Sequence, residues 1–335
     1  MNVAGFDAGT YNMICCFRNE NKDFIYKREV NAFIEVSLEK PFVFNMMKKA
    51  GVPLIQREDA NIAYALGEAA VNMAYTLDCT LKRPMKDGCV NPQEKDAFQI
   101  MSIMIHSLLP DIKEDTVLYY TVPANAINEE TDADYHAKVL EAIFKAYTSP
   151  EGHKIDARPI NEGMALVYAE TEEKMFTGLG VSCGSGMVNV AFGLFGIEVF
   201  SFSIVNSGDW IDRQAAKATG ESIAFINKEK TKIDLNKEPE TLVERAIKTQ
   251  YEIMIQKTVA GIKDGLTSHQ DKKTRLDKPL DIIVAGGTSS PPGFVELFGT
   301  ILKQAELPIE IGEIIRPKEP LLSVAKGALI AAENS

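Results

Sequence analysis

Asp7-Ala8-Gly9-Thr10 stands between two short apolar runs, at 3–6 and 13–17. An Asp-x-Gly-Thr turn at the tip of a hairpin presents backbone amides that can cradle phosphate oxygens, while its carboxylate can hold the waters of a magnesium ion. The motif is short, and a glycine hairpin turn capped by aspartate reads the same way. Ser182-Cys183-Gly184-Ser185-Gly186 is a second turn of this kind. Val284-Ala285-Gly286-Gly287-Thr288 is a third, running on into Ser289-Ser290-Pro291-Pro292-Gly293. Small residues there let a backbone approach an anion closely. Three Gly-rich turns, each at a strand end and spread over both halves of the chain, fit a nucleotide held in an interdomain cleft better than three unrelated turns.

The elements that must carry these turns follow from the apolar pattern. The first turn joins two paired strands, and residues 24–26 add a third. Residues 31–78 are irregular, with Pro41 and Pro53 as breakers, which suits a small inserted subdomain. Phe98, Met101, Met104, Ile105, Leu108 and Leu109 recur at helical spacing, with His106 beside that face as a packed or edge histidine. A strand at 116–122 stops at Pro123, and a helix through Val139, Leu140, Ile143, Phe144 and Tyr147 follows. After Gly152 the organisation repeats, with a helix at 162–174, two strands around the second turn at 178–195 and a third strand at 197–205. A helix-rich stretch, 219–270, precedes a buried strand at 281–285. Strands alternating with helices favour sheets covered by helices, and two similar α/β halves with inserts is the simplest architecture.

Length and charge bound the function classes. The 335 residues predict about two domains. The net charge of −11 and the lack of a dense Lys/Arg tract argue against direct nucleic-acid binding. The Lys-rich run 228–237 reads as a solvated face. The opening residues lack a basic region followed by an apolar run, so a cytoplasmic location is expected. No run approaches about 18 apolar residues, which excludes a transmembrane helix. Cys15, Cys16, Cys79, Cys89 and Cys183 have no Cys-x-x-Cys spacing and read as reduced thiols. Cys183, in the second turn, is the one whose pKa oriented amides could lower, although a small space-filler suits the position too. His106, His136, His153 and His269 are scattered singly, so no zinc site is expected.

Gly5-Phe6-Asp7-Ala8-Gly9-Thr10 resembles the first phosphate loop of the actin and heat-shock-chaperone ATPase superfamily, and the later pieces arrive in that family's order. Residues 157–165, with Asn161-Glu162, resemble its connecting helix. Residues 286–294 resemble the adenosine loop, and 323–329 the final helix. Arg83-Pro84-Met85-Lys86-Asp87-Gly88 is nearly the string of the MreB branch. Residues 64–70 and Ser207-Gly208-Asp209-Trp210-Ile211-Asp212 match further turns, and Asn227-Lys228-Glu229 with the spacing is similar to the MamK branch.

The resemblance implies a two-lobed actin-like ATPase fold of duplicated ribonuclease-H-like sheets with a nucleotide cleft between them. The first lobe would be 1–159, with an inserted subdomain at 31–78 and a C-terminal helix at 320–335 returning to it. The second would be 160–319, with a helical subdomain at 206–270. Carried over by position, Asp7 holds hydrated Mg²⁺ and Glu162 orients the attacking water. Gly9, Thr10, Tyr11 and Asn12 meet phosphates, with Gly184, Ser185 and Gly186 opposite. Gly208 and Asp209 follow the second loop, Lys228 lies at the nucleoside end, and Gly286, Gly287 and Thr288 pack on adenosine. Ser182 stands where the family has Asp, so its hold on the metal is weakened, hydrolysis is expected to be slow, and Ser182→Asp is expected to raise it. The implied function is an ATP/ADP-binding protein that polymerises head to tail for positioning or segregating cargo, through a cargo adaptor. The alternatives are a monomeric chaperone-like nucleotide switch or adaptor, and a small-molecule kinase, for which no acceptor-base motif is found.

Overall fold

The computed structural model describes residues 2–39, 41–57, 60–77, 79–269 and 278–335. The chain opens with β1 (Asn2–Ala8), β2 (Asn12–Arg18) and β3 (Phe24–Val30), an antiparallel meander. It then leaves this sheet for β4 (Phe33–Ser37), α1 (Pro41–Lys49), β5 (Leu54–Arg57), β6 (Ile62–Leu66) and α2 (Gly67–Leu77). The segment read as irregular is therefore an ordered unit. Its antiparallel sheet runs β4-β6-β5 over a small core of Ile34, Val36, Met47, Ala65 and Ala70. Strands of four or five residues interrupted by Pro41 and Pro53 leave too little alternation to read as a sheet.

Returning to the first sheet, the chain forms a short hairpin of β7 (Met85–Lys86) and β8 (Cys89–Val90), then α3 (Ala97–Leu108), β9 (Thr116–Val122), α4 (Ala133–Ala146), β10 (Ile155–Asn161) and α5 (Glu162–Glu170). α3 buries Ile100, Met101, Met104, Ile105 and Leu108, but Phe98 is exposed and Ala97 takes its place on the inner face. Nε2 of His106 donates to the Ile143 carbonyl at 3.0 Å, and its ring stands edge-on to Tyr147. α5 is shorter than its pattern suggests. Thr171 leaves helical geometry, Thr171 Oγ1 donates to the Val167 carbonyl at 2.7 Å, and residues 172–174 form a separate 3-10 turn.

The second half repeats the plan with β11 (Gly178–Cys183), β12 (Val188–Leu194) and β13 (Ile197–Ile204). It continues with α6 (Gly208–Thr219), α7 (Ile223–Lys230), α8 (Leu242–Ser268), β14 (Leu280–Ala285), α9 (Phe294–Gln304), β15 (Ile311–Ile315) and α10 (Ser323–Glu333). α8 starts with a capping box between Thr241 and Glu244. Gln270, the expected end of this helical stretch, lies outside the described residues.

The two large sheets share one topology. The first runs β10-β9-β1-β2-β3 and the second β15-β14-β11-β12-β13. In each, the first strand pairs antiparallel with the second and parallel with the fourth. The duplicated α/β architecture expected from the sequence is thus present. Separate apolar cores lie against the two sheets, one around Phe6, Leu118, Tyr120 and Phe144, the other around Val181, Val190, Ile255 and Phe294. α10 packs on β1 and α5. The approach needs glycine, because a Cβ at Gly5 would collide with the backbone of Leu329, and one at Gly327 with that of Ala165.

Candidate functional site

β1 delivers Asp7 to the C-terminal edge of the first sheet, beside β9. There its Oδ1 accepts a hydrogen bond from Thr121 Oγ1 at 3.1 Å, and the same hydroxyl accepts from the Ala8 amide at 3.2 Å. The turn after β1 is tied down by Asn31. Its side-chain amide donates to the Gly9 carbonyl at 3.0 Å, and its backbone amide to the Tyr11 carbonyl at 2.8 Å. With its carbonyls engaged, the turn keeps amides free for an anion.

The second turn, between β11 and β12, is fixed through one carbonyl. Gly184 O accepts from Ser207 Oγ at 2.5 Å, Thr288 Oγ1 at 2.6 Å and the Gly208 amide at 3.3 Å. Three Gly-rich segments far apart in sequence are thereby locked together, and the Thr288 hydroxyl is committed to this joint. Asp209, in the first turn of α6, completes the frame. Its Oδ1 accepts from Ser185 Oγ at 2.6 Å, and its backbone amide donates to the Ser185 carbonyl at 2.8 Å.

These turns line one cavity of about 640 Å³ between the two sheets, within the usual range for a small-ligand site. It brings together Asp7, Gly9, Thr10, Tyr11 and Asn12 from the first lobe with Glu162, Ser182, Gly184, Ser185, Gly186, Gly208, Asp209, Gly286, Gly287 and Thr288. Lys228 is not among the lining residues. α7 turns Asn227, Lys230 and Thr231 to the cavity and leaves Lys228 exposed, because positions three and four apart share a helix face and the next residue is about 100° round. Lys230 Nζ is anchored at 2.8 Å to both Asp212 and the Gly208 carbonyl, and Asn227 donates to Asp212 Oδ2 at 2.8 Å.

Glu162 opens α5, where Asn161 caps the helix by accepting from the Gly163 amide at 2.8 Å. Its Oε2 accepts from Ser182 Oγ at 3.0 Å, so the Ser182 hydroxyl points its proton at Glu162. Asn189 lines the same wall, with its side-chain oxygen accepting from Ser203 Oγ. Burial first, and then the Glu162 charge, raise Asp7 to about 8, partly offset by the Thr121 hydrogen bond. Burial raises Glu162 to about 7 against the lowering effect of Ser182 and Asn189. Two buried carboxylates that line one cleft and repel each other form an oxygen-only donor set whose repulsion a divalent cation would relieve, so the residues present fit Mg²⁺. Cys183 carries no such chemistry, because burial pushes its thiol up to about 12.

The string 83–88 bridges the lobes. Arg83 Nη1 donates to both carboxylate oxygens of Asp209, at 3.2 and 3.0 Å, with its guanidinium carbon 4.9 Å from the Tyr11 ring centroid. Arg213, one helical turn beyond Asp209, pairs with Asp87 at 3.2 Å. Gly88 faces Gly186 and Met187, and a Cβ on Gly186 would stand 3.1 Å from Gly88 Cα and nearer still to its amide nitrogen and to Thr10 Oγ1. The lobes touch through glycine at the point where the two loops oppose. Arg213, Lys230 and Asn189 carry no mark of their own in the sequence, and Arg83 and Asn227 stand there only inside strings that resemble the family, with no role attached. Only the i, i+3 spacing of Asn227 and Lys230 held a signal, and its phase depends on how α7 docks.

Similar folds occur among solved structures. The MamK double helical filament is 16% identical, covering 99% of this chain and 98% of that one, at a TM-score of 0.71. MreB 5 of Spiroplasma citri bound to AMPPNP is 15% identical, covering 99% and 96%, at 0.66. The ethanolamine utilization protein EutJ from Carboxydothermus hydrogenoformans is 17% identical, covering 98% and 89%, at 0.51. No curated protein matches the sequence. At these identities the likeness establishes the two-lobed actin-like fold over nearly the whole chain. Among the described residues no helix is long and apolar enough to cross a membrane. The family model named Volactin matches residues 1–332, and the chain belongs to the Volactin family.

Proposed function

We propose that the cleft binds ATP with Mg²⁺, that this occupancy drives head-to-tail assembly into filaments, and that the site hydrolyses ATP slowly. The observation that carries the reading is the pair of opposed glycine loops with one carboxylate from each side, Asp7 and Glu162, in a single interlobe cavity. The likeness to a double helical filament of MamK and to MreB bound to AMPPNP supports it.

In this reading the amides of residues 9–12 and 184–186 hold the phosphates from two sides. Asp7 holds the waters of Mg²⁺, which supplies charge neutralisation at the phosphates. Gly286 and Gly287 pack on the adenosine, with Asn227 and Lys230 in the place expected for Lys228. Glu162 takes a proton from water as the water oxygen bonds to the terminal phosphorus and the bond to the bridging oxygen breaks, leaving ADP and phosphate. The catalytic contribution is mainly positioning and electrostatic, as phosphoryl transfer requires. Ser182 supplies a neutral donor to Glu162 where a carboxylate would repel it. Its proton is therefore spent on Glu162, and a metal-holding role rests on its lone pairs alone.

Pelleting the purified chain with Mg-ATP, Mg-ADP and no nucleotide, with negative-stain imaging of each pellet, tests the assembly. Regular filaments gated by nucleotide are expected. A chain that binds ATP and stays monomeric would replace the filament with a partner-directed switch.

A further inference from the structure

Two exposed apolar features belong to neither core. The first is the tip of the second lobe, where the β12–β13 turn meets the loop after α5. Met175, Phe195 and Ile197 are 64, 61 and 72% exposed there. Met175, Phe176 and Phe195 all hold positive φ, at 52, 53 and 53°, a backbone state that bulky residues seldom adopt. The tip is nevertheless rigid. Gly196 donates to the Phe176 carbonyl at 3.0 Å, and Tyr168 Oη donates to the Gly196 carbonyl at 3.0 Å. The Phe195 amide donates to Thr177 Oγ1 at 3.0 Å. Strained backbone that holds large apolar side chains in solvent is the signature of a contact surface.

The second feature is α1 of the inserted subdomain, which turns Phe42 and Met46, 78 and 37% exposed, away from its own core one helical turn apart. The tip and the C-terminal end of α1 carry opposite charges, although Glu39 is exposed before the start of α1. Glu172, Glu173 and Glu198 are exposed around the tip, where Lys174 is paired with Asp281. Lys48 and Lys49 are exposed at the end of α1.

Register places the two features apart. Val30 pairs with Asn12, and the Asn31 amide bonds Tyr11, so the insertion leaves the first sheet at its cleft edge. β12 starts beside the second phosphate loop and runs away from the cleft, which puts the tip about 20 Å from it. A chain cannot lay its own α1 on its own tip, and two different surfaces that complement each other make a heterologous, non-closing contact. We infer that α1 of one copy docks its Phe42–Met46 face on the Met175–Phe195–Ile197 tip of the next, with Lys48 and Lys49 opposite the three glutamates. This rests on the filament reading and names one of its contacts.

Charge reversal tests it on the full chain with Mg-ATP. The Lys48→Glu/Lys49→Glu and Glu172→Lys/Glu173→Lys proteins are each expected to raise the critical concentration for pelleting about tenfold or more. An equimolar mixture of the two is expected to recover polymer, because each then meets a complementary face on the other. As a second readout, Phe42→Cys mixed with Phe195→Cys should form an intermolecular disulfide under oxidation only when Mg-ATP is present. Wild-type filaments with variants that polymerise normally, a mixture that does not recover, or an absent cross-link would overturn this contact and leave the filament reading standing. A wild-type chain that stays monomeric with every nucleotide would remove both.

Discussion

Replacing Gly186 by Ala is the sharpest perturbation of the cleft. The added methyl would stand 3.1 Å from Gly88 Cα and closer still to the Gly88 nitrogen and Thr10 Oγ1, so it meets a backbone that cannot turn aside as well as a buried hydroxyl. Overpacking at a rigid contact costs about 1–3 kcal/mol. The two lobes have separate apolar cores, so the strain is relieved by parting the lobes, not by loosening either one. The cost then falls on nucleotide binding, which needs both loops on the same phosphates, and Mg-ATP should bind about 5- to 150-fold more weakly. Titration with a fluorescent ATP analogue reads the affinity, and thermal melting of the apo chain reads the fold, with a shift of no more than about 2 °C expected. Affinity within twofold of wild type would show that Gly186 does not set the spacing of the loops, and a melting point lower by about 5 °C or more would show that the strain falls on the fold instead.

Other outcomes follow from the same geometry. Asp87→Arg or Arg213→Asp should speed nucleotide release about two- to fivefold, and the double exchange should restore it. Both pairs across the cleft are partly exposed, so each contributes no more than about 1 kcal/mol. Glu162→Ala should keep Mg-ATP binding while lowering phosphate release by about 10²-fold or more. Ser182→Asp, expected from sequence to raise turnover, is now expected to lower it in a phosphate-release assay, because a carboxylate would face Glu162 Oε2 in place of a donor. Asp7 and Glu162 are raised in the folded chain, so the folded form holds more protons than the unfolded one, and apo stability falls as pH rises through those values. His136, pushed down to about 4 by burial, works in the opposite direction but is neutral in both states above about pH 7. The melting point of the apo chain should therefore decline from about pH 7 to 9, and the decline should flatten in Asp7→Asn and with saturating Mg-ATP.

The two-lobed plan was legible because each glycine turn sits between strands long enough to alternate or to read as a buried run, and the same order recurs after Gly152. What the sequence hides is whatever depends on docking between distant segments. Arg83 and Asp209 are 126 positions apart, and nothing local marks them as partners. Lys228 was placed at the nucleoside end by resemblance alone, but the face of α7 turns Lys230 to the cavity instead. Thr288 lines the cavity, but the bond from its hydroxyl to the Gly184 carbonyl, across 104 positions, has no local mark. Phe98 fits a helical stripe by spacing, but the stripe's edge is set by what α3 packs against. Ser182 differs again. The residue type was visible, but its hydrogen bond to Glu162, which reverses the expected effect of restoring Asp, needed the structure.

Whether the opposed loops bind a nucleotide is decided by calorimetric titration of the purified chain with ATP in the presence of Mg²⁺. Saturable binding of about one nucleotide per chain is expected, weakened when Asp7 is replaced by Ala. Heat that never saturates up to millimolar ATP, or binding indifferent to Asp7, would contradict a nucleotide site between the loops.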